Sequence, residues 1–122
     1  MKKLNVLCVD DSKTVHSYVK DCLIDNLGEM YSAFDGKEAL ECINTDKQID
    51  VILLDWEMPV LDGRETVKQL MEIGCEIPII MLTAKDNPEN IQEMFQLGVK
   101  EYLMKPFTKD ILIGRLSEVL DD

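Results

Sequence analysis

Five short apolar segments alternate along the chain with segments that have the periodicity of amphipathic helices. The apolar segments are Leu4–Val9, Met30–Phe34, Val51–Leu54, Ile79–Leu82 and Glu101–Met104. Strands that alternate with helices in this way are typical of βαβ units, which form a parallel sheet. Because the segments are continuously apolar, helices are expected to cover both faces of that sheet. The sequence therefore predicts a single α/β domain of (βα)5 architecture over residues 1–122.

The helical segments begin at residues that favour helix starts and carry their apolar residues on one face. The predicted starts are Ser12, Gly36, Asp62-Gly63, Asn87-Pro88 and Thr108. The inward positions of the first helix are Val15, Tyr18, Val19, Cys22 and Leu23, and those of the fourth are Ile91, Met94 and Phe95. This spacing is that of an amphipathic helix. Gly28 is expected to end the first helix, and His16, which lies off its apolar stripe, is expected to be solvated.

The chain is strongly acidic, with 13 Lys and Arg residues against 24 Asp and Glu residues, a formal charge of −11. Nucleic-acid binding needs basic surface, so this domain is not expected to bind nucleic acid directly. No apolar run approaches the roughly 18 residues that span a bilayer, and no cleavage site follows Leu4–Val9, so neither a membrane segment nor export is expected. The four cysteines form no CxxC unit, which favours reduced thiols and a cytoplasmic protein.

Polar residues follow four of the predicted strands at the point where each strand ends. Asp10 and Asp11 follow the first strand, Asp55 the third, Thr83 the fourth and Lys105 the fifth. The carboxyl ends of parallel strands meet at one edge of a sheet, where α/β proteins bind their ligands. These five residues are therefore expected to converge on one site.

Carboxylates at the ends of neighbouring strands repel each other by about 3 kcal/mol per pair at ~5 Å and an effective dielectric constant of ~20. A hard divalent cation offsets this repulsion, and Mg²⁺ prefers carboxylates, waters and phosphate oxygens. A carboxylate such as Asp55, placed beside a metal and Lys105, can attack phosphorus and form an aspartyl phosphate.

The motifs resemble those of the response-regulator receiver family, in the family's order and spacing over essentially the whole chain. They are Asp10-Asp11, Asp55 within Leu-Leu-Asp-Trp-Glu-Met-Pro, Asp62-Gly63, Thr83-Ala84 and Lys105-Pro-Phe. The resemblance implies a flavodoxin-like sheet with strand order 2-1-3-4-5. It also implies two-component signalling, with phosphate received from a histidine kinase or a histidine phosphotransfer protein and passed on as a signal to a downstream protein that the sequence does not identify.

The same resemblance implies a role for each site residue. Asp55 is the phosphoacceptor, and it holds Mg²⁺ together with Asp10, Asp11 and the backbone carbonyl of Glu57. Thr83 and Lys105 bind the phosphoryl group. Thr83 and Tyr102 form the switch that reports phosphorylation to the face made by helix four, strand five and helix five. The Lys105-Pro106 bond is expected to be cis, and Trp56 to be partly exposed beside the acceptor.

Two other functions fit parts of the pattern. A degenerate receiver would act as an interaction module without phosphorylation, although all five site residues are present. A phosphohydrolase with an Asp nucleophile typically needs a second Asp two positions on, where this chain has Glu57, and also a longer chain for a substrate cap. The domain is therefore not expected to be an enzyme beyond its own phosphorylation and dephosphorylation.

The lifetime of the phosphorylated state is expected to depend on Glu57 and Lys85, which lie two residues beyond Asp55 and Thr83. Both flank the path of the hydrolytic water in this fold, and their charges are opposite. An ion pair between them would obstruct the water, whereas Glu57 alone could orient it. The sequence leaves both effects open.

Overall fold

The computed structural model describes residues 3–84 and 88–120, in which five strands and five helices alternate. The elements are β1 (Leu4–Val9), α1 (Lys13–Cys22), β2 (Leu27–Ala33), α2 (Gly36–Ile43), β3 (Val51–Asp55), α3 (Gly63–Glu72), β4 (Ile79–Thr83), α4 (Pro88–Leu97), β5 (Glu101–Met104) and α5 (Lys109–Leu120). The strands pair in parallel in the order β2-β1-β3-β4-β5. The predicted fold class and strand order are confirmed.

Two apolar layers enclose the sheet because successive residues of each strand point to opposite faces. One layer joins α1 and α5 to the sheet in a buried cluster that includes Val19, Leu112 and Leu53. The other joins α2, α3 and α4 to the opposite face, for example through Val67 and Met94. All five residues of β3 are buried, as expected for a central strand covered on both sides.

The helix starts follow the capping rules, but α1 ends earlier than predicted. The side chains of Ser12 and Thr108 accept hydrogen bonds from backbone N–H groups in the first turns of α1 and α5. Helix α1 ends at Cys22, and Gly28 lies inside β2 rather than at a helix end. The reason is tertiary: Asn5 Oδ1 accepts a hydrogen bond from Glu29 N at 2.9 Å, where the register of β1 against β2 shifts. A Cβ on residue 28 would lie 2.6 Å from that oxygen, so a larger residue here would displace the Asn5 side chain from its hydrogen bond to Glu29 N.

Tyr18 and Phe95 were predicted to point inward, and both predictions are wrong, because each side chain is 43% exposed. Met94, next to Phe95 in sequence, is fully buried. The Phe95 ring packs edge-on against Tyr102 of β5, with ring centroids 6.2 Å apart. The outer surface of α4 and β5 therefore carries two aromatic rings in contact.

Val60, in the loop between β3 and α3, has a φ of 68°, a left-handed conformation that costs a non-glycine residue roughly 1–2 kcal/mol. Its side chain is 77% exposed, so packing offsets little of this cost. We expect Val60→Gly to raise the free energy of unfolding by about 1 kcal/mol in urea denaturation. Val60→Ala keeps a Cβ in the same conformation and should gain less. Equal stability of all three proteins would show that residue 60 is unstrained in solution.

Candidate functional site

The site lies at the carboxyl edge of the sheet, where the neighbouring strands β1, β3, β4 and β5 end side by side. Asp10 directly follows β1, Asp55 and Thr83 are the last residues of β3 and β4, and Lys105 directly follows β5. Backbone hydrogen bonds continue between these ends, from Lys105 N to the Thr83 carbonyl at 2.8 Å. The first strand has β2 on one side and β3 on the other, so the site is at the point where strand order reverses.

Three carboxylates converge at this edge. One carboxylate oxygen from each of Asp10, Asp11 and Asp55 lies within 4.8 Å of the other two. Asp10 and Asp55 are buried, and Asp11 is exposed. Lys105 Nζ lies 2.7 Å from Asp10 Oδ2 and 3.2 Å from Asp55 Oδ1. Within this group three negative charges face one positive charge.

Burial and the neighbouring charges shift the pKa values of Asp55 and Lys105. Burial and the neighbouring Asp10 raise the pKa of Asp55 from 3.8 to about 6, although Lys105 and the Glu57 N–H oppose the rise. Burial by itself would lower the pKa of Lys105, but its hydrogen bond to Asp10 and the charge of Asp55 raise it overall. The lysine therefore stays cationic, and Asp55 is harder to ionise than an ordinary aspartate.

The donor set fits a hard divalent cation. Carboxylate oxygens gathered this closely are the ligands that Mg²⁺ prefers, and a second positive charge would relieve the repulsion that raises the pKa of Asp55. The Glu57 backbone turns back toward Asp55, with its N–H 3.5 Å from Asp55 Oδ1, while its side chain is exposed. The carboxylates that could hold the ion are thus those of Asp10, Asp11 and Asp55, while the carbonyl of Glu57 stays a predicted ligand.

The two predicted switch residues lie on adjacent strands. Thr83 is buried at the end of β4, beside Met104 of β5. Tyr102, two residues earlier on β5, is partly buried and pairs with Met81. The Lys105-Pro106 bond is cis, as predicted. Lys85, predicted to pair with Glu57, lies outside the described residues.

Two predictions about individual side chains near the site are wrong. Trp56 is only 9% exposed, because its ring packs into the apolar layer beneath α2, α3 and α4 rather than toward solvent. His16 is 6% exposed rather than solvated. Its Nε2 lies 2.8 Å from the Asp10 carbonyl oxygen and its Nδ1 lies 3.0 Å from Ser32 Oγ. The sequence offers one signal for this contact: a histidine four residues into α1 is close enough to reach back to the end of β1.

Comparison with known proteins agrees with this geometry. A family model described as the response regulator receiver domain matches residues 6–117. Response regulator MprA of Mycobacterium ulcerans is 37% identical over 117 residues, which are 96% of this chain and 50% of MprA. The chain thus spans about half the length of the curated relatives it matches.

Solved structures give the same result. Chemotaxis protein CheY4 of Vibrio cholerae superposes with a TM-score of 0.87 at 38% identity, over 97% of this chain and 99% of CheY4. The receiver domain of Francisella response regulator 1452 superposes with a TM-score of 0.88 at 40% identity, over 98% of each chain.

Fold and site together define a doubly wound parallel α/β domain with an acidic site at the carboxyl edge of its sheet. The chain belongs to the response regulator receiver domain family of two-component systems. In residues 3–84 and 88–120, no helix has the length and apolar character needed to cross a membrane.

Proposed function

We propose that this domain accepts a phosphoryl group on Asp55 from a phosphohistidine, carried by a histidine kinase or a histidine phosphotransfer protein, and that it uses Mg²⁺. The observation that carries the proposal is the convergence of Asp10, Asp11 and Asp55 within 4.8 Å, with Lys105 Nζ in contact with two of them. Family membership supports the choice of donor. The four free cysteines are consistent with a cytoplasmic protein.

In the proposed reaction a carboxylate oxygen of Asp55 attacks phosphorus, forming an O–P bond while the P–N bond to the donor histidine breaks. Asp10, Asp11, Asp55 and the Glu57 carbonyl would hold the metal, which would neutralise charge on the phosphoryl oxygens. Lys105, now held by Asp10 and Asp55, would contact another of these oxygens. The Thr83 hydroxyl would donate to a third. The chain supplies positions and charges for the transfer, which needs little else from the protein.

The test is incubation of the purified domain with a small phosphodonor such as acetyl phosphate, followed by intact mass spectrometry. We expect one phosphoryl adduct with Mg²⁺ and none when the metal is chelated. Absence of any adduct from acetyl phosphate, together with unchanged Trp56 fluorescence on adding beryllofluoride and Mg²⁺, would reject the proposal. It would favour instead an interaction module that works without phosphorylation.

The output surface in this proposal is the face formed by α4, β5 and α5, which would contact a downstream protein whose identity is open. Tyr102 lies on this face, in contact with Phe95 of α4, and its carbonyl accepts a hydrogen bond from Arg115 Nε of α5 at 3.3 Å. All three elements therefore meet at residue 102. Thr83, on the neighbouring strand, connects this face to the acceptor edge.

Phosphorylation is expected to draw Thr83 toward the phosphate and to bias Tyr102 toward an inward position. The phosphoryl group makes contacts only in one of two arrangements, so it shifts the population toward that arrangement. Amide NMR spectra recorded with and without beryllofluoride and Mg²⁺ should show changes at Tyr102 and Phe95 as well as at the acceptor. The same additions to Asp55→Asn serve as the control. Changes confined to the loops around Asp10 and Asp55 would contradict this prediction.

A further inference from the structure

His16 is a buried polar side chain that the proposed phosphotransfer does not use. It is the fourth residue of α1, and its ring packs against Phe34 with centroids 4.4 Å apart. The ring connects three elements, because its two nitrogens contact the Asp10 carbonyl after β1 and the Ser32 hydroxyl of β2. We propose that His16 is a positioning residue that holds Asp10 in the geometry needed to bind the metal, an inference that rests on the proposed function.

The two partners determine which ring nitrogen carries the proton. A carbonyl oxygen can only accept a hydrogen bond, so Nε2 must donate to Asp10 at 2.8 Å. In the neutral ring Nδ1 is then an acceptor, and the Ser32 hydroxyl can donate to it at 3.0 Å. A single tautomer satisfies both contacts. Because the ring is only 6% exposed and stacked on Phe34, it cannot swing into solvent without losing its packing.

The hydrogen bond from His16 completes the set of contacts that hold Asp10 in place. The Asp10 N–H donates to the Ala33 carbonyl at 3.1 Å, which is the last backbone link between β1 and β2 at this edge. The carboxylate accepts from Ser12 N at 2.9 Å through Oδ1 and from Lys105 through Oδ2. His16 supplies a donor to the remaining polar atom, the carbonyl oxygen. Every polar atom of Asp10 thus has a partner.

Removing the donor would leave a buried carbonyl in need of another partner, and the peptide after Asp10 would rotate to find one. The Asp10 carboxylate is attached to the same residue, and Asp11 follows directly, so both proposed ligands would move. Partners that hold metal ligands in place typically change metal affinity 10–100-fold when they are lost. His16 should therefore influence Mg²⁺ binding although it contacts no metal.

The experiment compares Mg²⁺ affinity in three variants by calorimetry and by Trp56 fluorescence. His16→Leu keeps an apolar side chain but removes the donor, and should weaken Mg²⁺ binding about 10-fold or more. His16→Gln places an amide N–H near the position of Nε2 and should stay close to wild type. Ser32→Ala removes only the partner of the other ring nitrogen, at an exposed residue, and should also stay close to wild type.

His16→Leu binding Mg²⁺ as tightly as wild type would overturn the inference, and so would an equal loss in His16→Leu and His16→Gln. If wild type itself binds no Mg²⁺, the proposed function fails first, so the two failures are distinguishable. Should His16→Leu fail to fold, NMR of the His16 ring in wild type decides. We expect an Nε2–H signal that shifts during Mg²⁺ titration with the same midpoint as Trp56 fluorescence; ring signals that stay constant would overturn the inference.

Discussion

Asp55→Asn is expected to abolish phosphorylation by small phosphodonors and, in metal-free buffer, to make the domain more stable than wild type. The amide lacks the carboxylate oxygen that attacks phosphorus in the proposed reaction, so no adduct should form even with saturating Mg²⁺. The same change removes one negative charge from a group in which three carboxylates lie within 4.8 Å of one another. Loss of function and gain of stability in one variant would exclude misfolding as the cause of inactivity.

The gain in stability follows from the raised pKa of Asp55, from 3.8 to about 6. A carboxyl group whose pKa is raised by folding is less stable in its ionised form in the folded state than in the unfolded chain. The rise in the pKa of Asp55 remains after the attraction of Lys105 is included. Solvent reaches part of the site, so we expect Asp55→Asn to gain about 1–2 kcal/mol at pH 7 rather than the full value of the shift.

The difference in stability between Asp55→Asn and wild type should decrease as pH falls. Above about pH 6 the folded wild type carries the ionised Asp55, and the advantage of Asp55→Asn is largest. As pH falls through 6 toward 3.8, folded Asp55 binds a proton before the unfolded chain does, so wild type gains stability relative to the variant. Urea unfolding of both proteins in EDTA at pH 7 and pH 5 measures the difference. A gap that widens toward pH 5, or an adduct on Asp55→Asn, would contradict the assignment of Asp55.

The alternation of strands and helices and the convergence of site residues were predictable because both follow from local patterns. A continuously apolar run such as Val51–Leu54 is typical of a strand covered on both faces, and parallel strands end at a common edge. Asp10, Asp55 and Lys105 therefore meet in the structure where the strand ends predict. Their distances and the raised pKa of Asp55 could not be obtained in this way, since they depend on side-chain conformation and burial.

The errors concern residues whose surroundings come from distant parts of the chain. His16 is polar, and a helical pattern assigns it to solvent, but its partners belong to the end of β1 and to β2. Gly28 resembles a helix stop, whereas it lies inside β2 and packs closely against the Asn5 side chain. Trp56 follows Asp55 in sequence, yet its ring packs into the apolar layer that joins α2, α3 and α4 to the sheet. In each case a tertiary contact outweighs the local preference.

Gly63→Ala is expected to destabilise the domain by about 3 kcal/mol and to impair phosphorylation, because α3 begins against the backbone of the acceptor segment. A Cβ on residue 63 would lie 2.5 Å from the Asp55 carbonyl oxygen and 2.7 Å from Trp56 Cα. Both are backbone atoms, so no side-chain rotation relieves the contact, and overpacking of this kind costs roughly 1–3 kcal/mol or more. The N–H of Gly63 also donates to the Trp56 carbonyl at 2.9 Å, which ties the two segments together.

Gly114→Ala is the matched control, since it adds the same methyl group in α5, where the new Cβ meets nothing within 4 Å in the described residues apart from the adjoining backbone of its own helix. Alanine favours the helix by about 0.5–1 kcal/mol over glycine, so this variant should be slightly more stable than wild type. Urea unfolding and the rate of phosphorylation by acetyl phosphate are measured for both variants. The folded fraction of Gly63→Ala should be phosphorylated more slowly, because making room for the new methyl group displaces the Asp55 backbone. Gly114→Ala should be phosphorylated at the wild-type rate. Equal stability of the two variants would show that the β3–α3 loop yields freely, and that the start of α3 does not hold the acceptor in place.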